Sequence, residues 1–100
     1  MPVTVSLSVD TAIAALKAAG EATRLRILAL LAEAELTVKD LTAILGQSQP
    51  RISRHLKLMA EAGLIDRYPE GAWVFHRLTD AEAARALARE VIGMVDAADP

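Results

Sequence analysis

The sequence predicts a mainly α-helical domain carrying a single β-hairpin. Three observations lead there. Alanine and leucine dominate a chain of 100 residues that is 53% hydrophobic, and both residue types favour helix. Apolar residues recur at three- and four-residue spacing over most of the length, as amphipathic helices require. Only from Leu64 to Leu78 does the pattern change, to short β-forming runs around Pro69, Glu70 and Gly71. The length fits one domain spanning 1–100, with 1–9 and 97–100 weakly ordered. So small a core would gain from burial against a second subunit.

Five helices are expected. The first is capped by Asp10 or Thr11, presents Ile13 and Leu16 as a short apolar stripe, and stops at Gly20. The second runs from about Glu21 to Ala34, with Leu25, Leu28, Leu31 and Ala32 inward and Arg24 and Glu33 outward. Thr37 caps a third, short helix ending near Leu45, and Asp40 stands where a capping box needs its acid. Gly46 breaks that helix. Ser48 caps a fourth, Pro50 falls in its first turn, and Gly63 stops it. Leu64 to Tyr68 and Ala72 to Leu78 read as paired strands joined through Pro69-Glu70-Gly71. Trp73 and Phe75 alternate on one face and are expected to pack on the core. Thr79 or Asp80 caps the last helix, which runs to about Asp96 with Ala84, Leu87, Ala88, Val91, Ile92 and Val95 on its apolar side.

Several function classes drop out. With no cysteine there are no disulfides, thiolate metal sites or cysteine nucleophiles. Met1 to Asp10 lacks a basic segment followed by an apolar run, so no signal peptide is expected. The longest apolar stretch, Leu25 to Ala32, is too short to cross a bilayer. A cytoplasmic protein without membrane contact is the expectation. His55 and His76 lie on different elements with no third ligand nearby, which argues against zinc. His55 reads as a partly buried polar residue and His76 as a strand surface residue. No phosphate loop, nucleophile elbow or carboxylate pair is visible, so no cofactor, metal or catalytic residue is assigned.

Charge distribution points elsewhere. The net charge is −2, yet between Gln47 and Arg77 five basic residues face three acidic ones. A locally basic segment on an acidic body suits a nucleic-acid face. In the fourth helix Ile52, Leu56, Met59 and Gly63 share one side, while Gln49, Arg51, Ser53, Arg54 and Lys57 lie beside or opposite it. Arginine can bond the acceptor edge of guanine with both arms, and glutamine can pair with adenine. Ser48, Lys57 and the free N–H groups at the helix start suit phosphate oxygens. His55 sits beside the core-facing side, near DNA. A short helix, a tight turn, a longer basic helix and then a hairpin is the order of a winged helix-turn-helix. Gly71 can take the positive φ of the wing's tight turn. Arg67 and Arg77, on the two strands, could reach phosphates or a minor groove. A solvated amphipathic helix and ordinary strand charges remain the plain alternatives.

From Leu16 to Leu78 the chain resembles the DNA-binding domain of the ArsR family of bacterial repressors. The resemblance is carried by Gly20-Glu21-Ala22-Thr23-Arg24-Leu25-Arg26-Ile27-Leu28, by Glu35-Leu36-Thr37-Val38-Lys39-Asp40-Leu41, and by Ser48-Gln49-Pro50-Arg51-Ile52-Ser53-Arg54-His55-Leu56-Lys57. Ala62-Gly63-Leu64-Ile65 and the wing Arg67 to Leu78 complete it. It implies a homodimer on palindromic double-stranded DNA, repressing transcription, with the first and last helices as the dimer interface. Ile13, Leu16, Leu87, Val91, Ile92 and Val95 would then meet the second subunit. The bare apolar stripe of the last helix agrees independently, since it would otherwise face water. Metal-sensing members carry cysteines where Thr37 and Lys39 stand, and others use histidine and aspartate pairs in the last helix, which here has Asp80 and Glu82 but no histidine. An inducer, small molecule or other, is left unidentified. Residues 86–90 and 97–100 also resemble the DNA-binding portion of regulators fused to a methyltransferase. The alternative function is therefore a protein-interaction or regulatory winged-helix module of a methyltransferase-linked system.

Overall fold

The computed structural model describes residues 6–95. The helices are α1 (Val9–Ala19), α2 (Ala22–Glu33), α3 (Val38–Leu45), α4 (Gln49–Glu61) and α5 (Glu82–Gly93), with strands β1 (Ile65–Glu70) and β2 (Trp73–Leu78) between α4 and α5. This is the expected five-helix, one-hairpin order. The ordering expected of 1–5 and 97–100, and the end of the last helix at Asp96, lie outside the described residues.

The first four helices each start where a side-chain oxygen accepts a free backbone N–H. Ser8, not Asp10 or Thr11, caps α1: its Oγ accepts the Thr11 N–H at 3.1 Å. Glu21 caps α2, its two carboxylate oxygens accepting from Thr23 and Arg24 N–H at 3.2 and 3.0 Å. Thr37 and Asp40 form the full reciprocal box on α3. Ser48 caps α4, with Pro50 in the first turn. At the other end of α4, Gly63 turns left-handed at φ 79°, Leu64 N–H reaches the Met59 carbonyl and Gly63 N–H the Ala60 carbonyl. That is a Schellman stop, and it delivers Leu64 straight into the core. The last helix begins later than expected, at Glu82 behind an uncapped Ala81. Thr79 and Asp80 are otherwise engaged: the Thr79 hydroxyl takes the Ala81 N–H, and the Asp80 N–H bonds the Asp66 carboxylate.

The core gathers Ile27, Leu28, Leu41, Ile52, Leu56, Met59, Leu64, Ile65 and Leu78, with Ala15, Ala18, Ala19 and Ala88 where helices approach closely. Burying side chains of this kind stabilises by roughly 1.5–3 kcal/mol for each large one. Leu87 and Ile92 pack against this core from α5. Arg24 is half-buried rather than outward.

The hairpin is antiparallel, pairing Ile65 with Leu78, Arg67 with His76 and Glu70 with Trp73. Its turn is Gly71-Ala72, with Gly71 at φ 60°, so Pro69 and Glu70 belong to the strand rather than the turn. Counting from a two-residue turn, Pro69 opposite Val74 is a non-hydrogen-bonded pair, where proline's missing N–H costs the ladder nothing. Two steps on, His76 is again such a position, and its backbone faces outward. Leu36 meets it there, exchanging two hydrogen bonds of 2.8 and 3.0 Å.

Strand alternation sorts the side chains into two faces. Ile65, Leu78 and His76 point to the core, and His76 is 5% exposed instead of lying on the surface. Tyr68, Trp73, Phe75 and Arg77 take the other face. Trp73 and Phe75 do share a face, but not the core's: Trp73 is 56% exposed, and Phe75 stacks on Tyr68 with ring centroids 5.9 Å apart.

Candidate nucleic-acid interface

α4 is held from three sides. Ile52, Leu56 and Met59 are buried along one side. The left-handed Gly46, φ 67°, turns the chain between α3 and α4, and the Gln47 amide donates to the Thr23 hydroxyl at 2.9 Å, tying that turn to α2. With the inner side fastened, Ser48, Gln49, Arg51, Arg54 and Lys57 are all exposed. Neither Arg51 nor Arg54 forms a salt bridge among the described residues. Ser53 and His55 flank the buried side and are half-covered.

Between α4 and the wing lies an open groove of about 560 Å³, lined by Val38, Ser53, Leu56, Lys57, Arg67 and Val74 among others. The exposed Arg67 therefore stands across from Lys57, two cations on facing walls. Gly71 forms the exposed wing tip. The structure thus brings together Ser48, Gln49, Arg51, Ser53, Arg54, Lys57 and Arg67.

Arg77 is not brought to them. It lies on the opposite wing face, half-buried, with its guanidinium 3.2 Å from Asp80, 3.8 Å from Glu35, and 4.8 Å above the Tyr68 ring. The Tyr68 hydroxyl donates to Glu35 as well. These contacts brace the wing against the segment before α3.

One group of residues escaped the sequence reading. Glu21, Arg24 and His55 converge where α1, α2 and α4 meet. Partial burial pushes the Glu21 carboxyl up, but the Arg24 and Thr23 N–H bonds, with the His55 and Arg24 charges, bring it below the usual carboxylate value. Its members come from the start of α2 and the middle of α4, about thirty residues apart, so spacing along the chain gives no sign of it.

Of the expected interface residues on the far side, Ile13, Leu16 and Val95 are exposed at 44%, 51% and 40%, while Leu87, Val91 and Ile92 are half-buried. Val9 and Met94, at 74% and 82%, are further exposed apolar residues at the start of α1 and just past the end of α5. Among the described residues no three His, Cys, Asp or Glu side chains converge on a metal position. At the places of the family's metal-binding cysteines, the Thr37 hydroxyl is spent on the cap and Lys39 offers only an ammonium. Neither fits a metal ligand.

A family model, bacterial regulatory protein, arsR family, matches residues 21–67. The arsenical resistance operon repressor of Escherichia coli is 50% identical over 64 residues, covering 63% of this chain and 55% of that protein. The chain therefore spans little more than half the length of that relative. An HTH-type transcriptional regulator of Methanocaldococcus jannaschii is 38% identical over 81 residues, 80% of this chain and 85% of its own length. Among solved structures, the homodimeric winged helix-turn-helix DNA-binding domain from Mycobacterium bovis superposes with a TM-score of 0.72 at 26% identity, covering 90% of this chain and 91% of that one. The wing, the helix order and these matches agree: the chain belongs to the arsR family of bacterial regulatory proteins.

Proposed function

We propose that this chain binds double-stranded DNA as a homodimer and represses transcription, placing α4 in the major groove and the wing on the flanking backbone. The observation that carries this reading is the outward, unpaired pair Arg51 and Arg54 on a helix whose opposite side is locked in the core. In this reading Gln49, Arg51 and Arg54 read bases. Ser48, Ser53, Lys57 and Arg67 hold phosphates, with Gly71 bringing the wing tip close to the backbone. Arg77 serves the wing's attachment instead. Ile13, Leu16, Leu87, Val91, Ile92 and Val95 form the two-fold contact, which sets two recognition helices about one DNA turn apart. The chain acts as one domain in the cytoplasm, without chemistry of its own. An inducer of unidentified class shifts the dimer to a weaker-binding state. No helix among the described residues is long and apolar enough to cross a membrane.

The test is duplex binding to fragments selected from genomic DNA, followed by fluorescence anisotropy at two salt concentrations. Affinity should fall steeply with salt as counterions are released. Arg51→Ala and Arg54→Ala should each cost about 1–3 kcal/mol for a lost two-armed base contact. Lys57→Ala and Arg67→Ala should weaken all sequences alike and flatten the salt dependence. A double Arg51/Arg54 variant with unchanged affinity would overturn the assignment. Absence of any duplex affinity would favour a protein-docking module instead.

A further inference from the structure

We propose that Arg24 is a positioning residue for DNA binding: it locks the His55 imidazole in the tautomer whose Nε2–H faces outward, making His55 a donor to a backbone phosphate. This rests on the DNA-binding reading above and assigns a further contact within it.

The geometry is a three-helix tie. Arg24 Nε donates to the Ala18 carbonyl in the last turn of α1 at 2.6 Å. Its NH1 lies 3.2 Å from Nδ1 of His55 in the middle of α4. A guanidinium has only donors and keeps its proton, so this contact is a hydrogen bond only when Nδ1 is bare and accepts. The neutral ring then carries its single proton on Nε2. Glu21 is the competing partner, since it would favour a proton on Nδ1. Its Oε2 stands 3.7 Å from Nδ1, beyond hydrogen-bond reach, and its two oxygens already accept from Thr23 and Arg24 N–H.

At the far corner of the ring, Nε2 is not among the buried polar atoms lacking a partner, and no protein group bonds it among the described residues. It is therefore open to solvent, on a side chain 19% exposed. His55 lies one turn after Arg51, on the edge of α4 away from the wing. Arg67 and Lys57 grip one side of the groove-bound helix, and the Nε2–H offers a donor on the other. Because Arg24 is itself anchored to α1, the ring cannot turn to exchange its nitrogens without giving up that bond.

Two measurements test this. Nitrogen-15 NMR of the His55 ring in the DNA-free protein reads the tautomer directly: Nε2–H is expected, and Arg24→Lys, whose ammonium cannot span both acceptors, should release a mixture. Binding to a random-sequence duplex at low salt reads the consequence. His55→Gln places an amide N–H near the Nε2 position and should stay within about threefold of the parent, whereas His55→Asn, which reaches only the Nδ1 position, should lose about tenfold. Arg24→Lys should lose about tenfold in the parent but under about threefold in the His55→Gln background. A ring protonated on Nδ1 overturns the proposal, as does an Arg24→Lys penalty equal in both backgrounds, which marks a merely structural arginine. If Arg24→Lys fails to fold, the Gln and Asn pair and the parent spectrum still decide. A parent that binds duplex, with Gln and Asn variants alike, sinks the donor role alone. A parent that binds no duplex sinks the DNA reading with it.

Discussion

His76 shows how a single side chain can carry a pH dependence for the whole domain. Burial holds its pKa below the ordinary 6.5, against a hydrogen bond to the Leu36 backbone that pulls it up, and the nearby Arg67 charge adds a smaller push down. Its Nδ1 is buried without a hydrogen-bond partner. The unfolded chain therefore takes up the proton first. Stability is full above about pH 6.5 and falls as pH drops toward the lowered folded value. Urea midpoints between about pH 7 and pH 5 should fall more steeply for the parent than for His76→Phe, which fills the site without titrating. Parallel slopes would refute this. The same residue was misread from sequence for a clear reason. In Trp73-Val74-Phe75-His76-Arg77-Leu78 both alternating sets contain apolar residues, and the two large aromatics of one set draw the eye to the wrong face. What decides is Ile65, which follows α4 directly into the core and takes its partner Leu78, and hence His76, with it. Arg24 is hidden similarly: its position on the α2 wheel is marginal, and the groups that draw it inward, the Ala18 carbonyl and the His55 ring, lie on other helices.

At the scale of elements, helix existence was legible and helix ends only in part. Thr37 and Ser48 were readable as caps because a short oxygen side chain preceded a strong apolar stripe. Glu21 was not, since its longer side chain is an uncommon cap, and Thr79 was spent one residue early. The α3 box fixes where that helix begins. Thr37→Ala should cost about 1 kcal/mol by urea unfolding. Asp40 in the box is held below its usual pKa, first by the Thr37 N–H and then by its side chain. The cap's contribution is thus present at neutral pH and lost as pH falls through that lowered value. The division of α4 into a buried side and an exposed, arginine-bearing side was the most legible part of the molecule, because an amphipathic helix declares both of its sides at once. The wing's charges were not: Arg67 and Arg77 differ by strand and face, and only the pairing register separates a groove-lining cation from a bracing one.

For the molecule as a whole, the apolar surface around Val9, Ile13, Leu16, Met94 and Val95 is the feature a lone protomer explains least well. In the proposed dimer it is covered. Leu16→Glu should give a folded monomer in sedimentation velocity, with far-ultraviolet dichroism unchanged and duplex affinity reduced, since two half-sites no longer bind together. A variant that remains dimeric would move the interface elsewhere. The periodicity of the last helix announced this surface, but its division was hidden: Leu87 and Ile92 also support their own protomer's core.

The paired Leu36 and His76 backbones have a mechanical consequence. They rivet the wing's base to the lead-in of α3, leaving only the stretch around Gly71 cantilevered beyond the rivet. Arg67 is paired with His76 itself, at the fixed end. Its backbone is therefore held at the anchored end of the wing, and in the proposed complex the spacing between the Arg67 and Lys57 walls would be set before a duplex arrives.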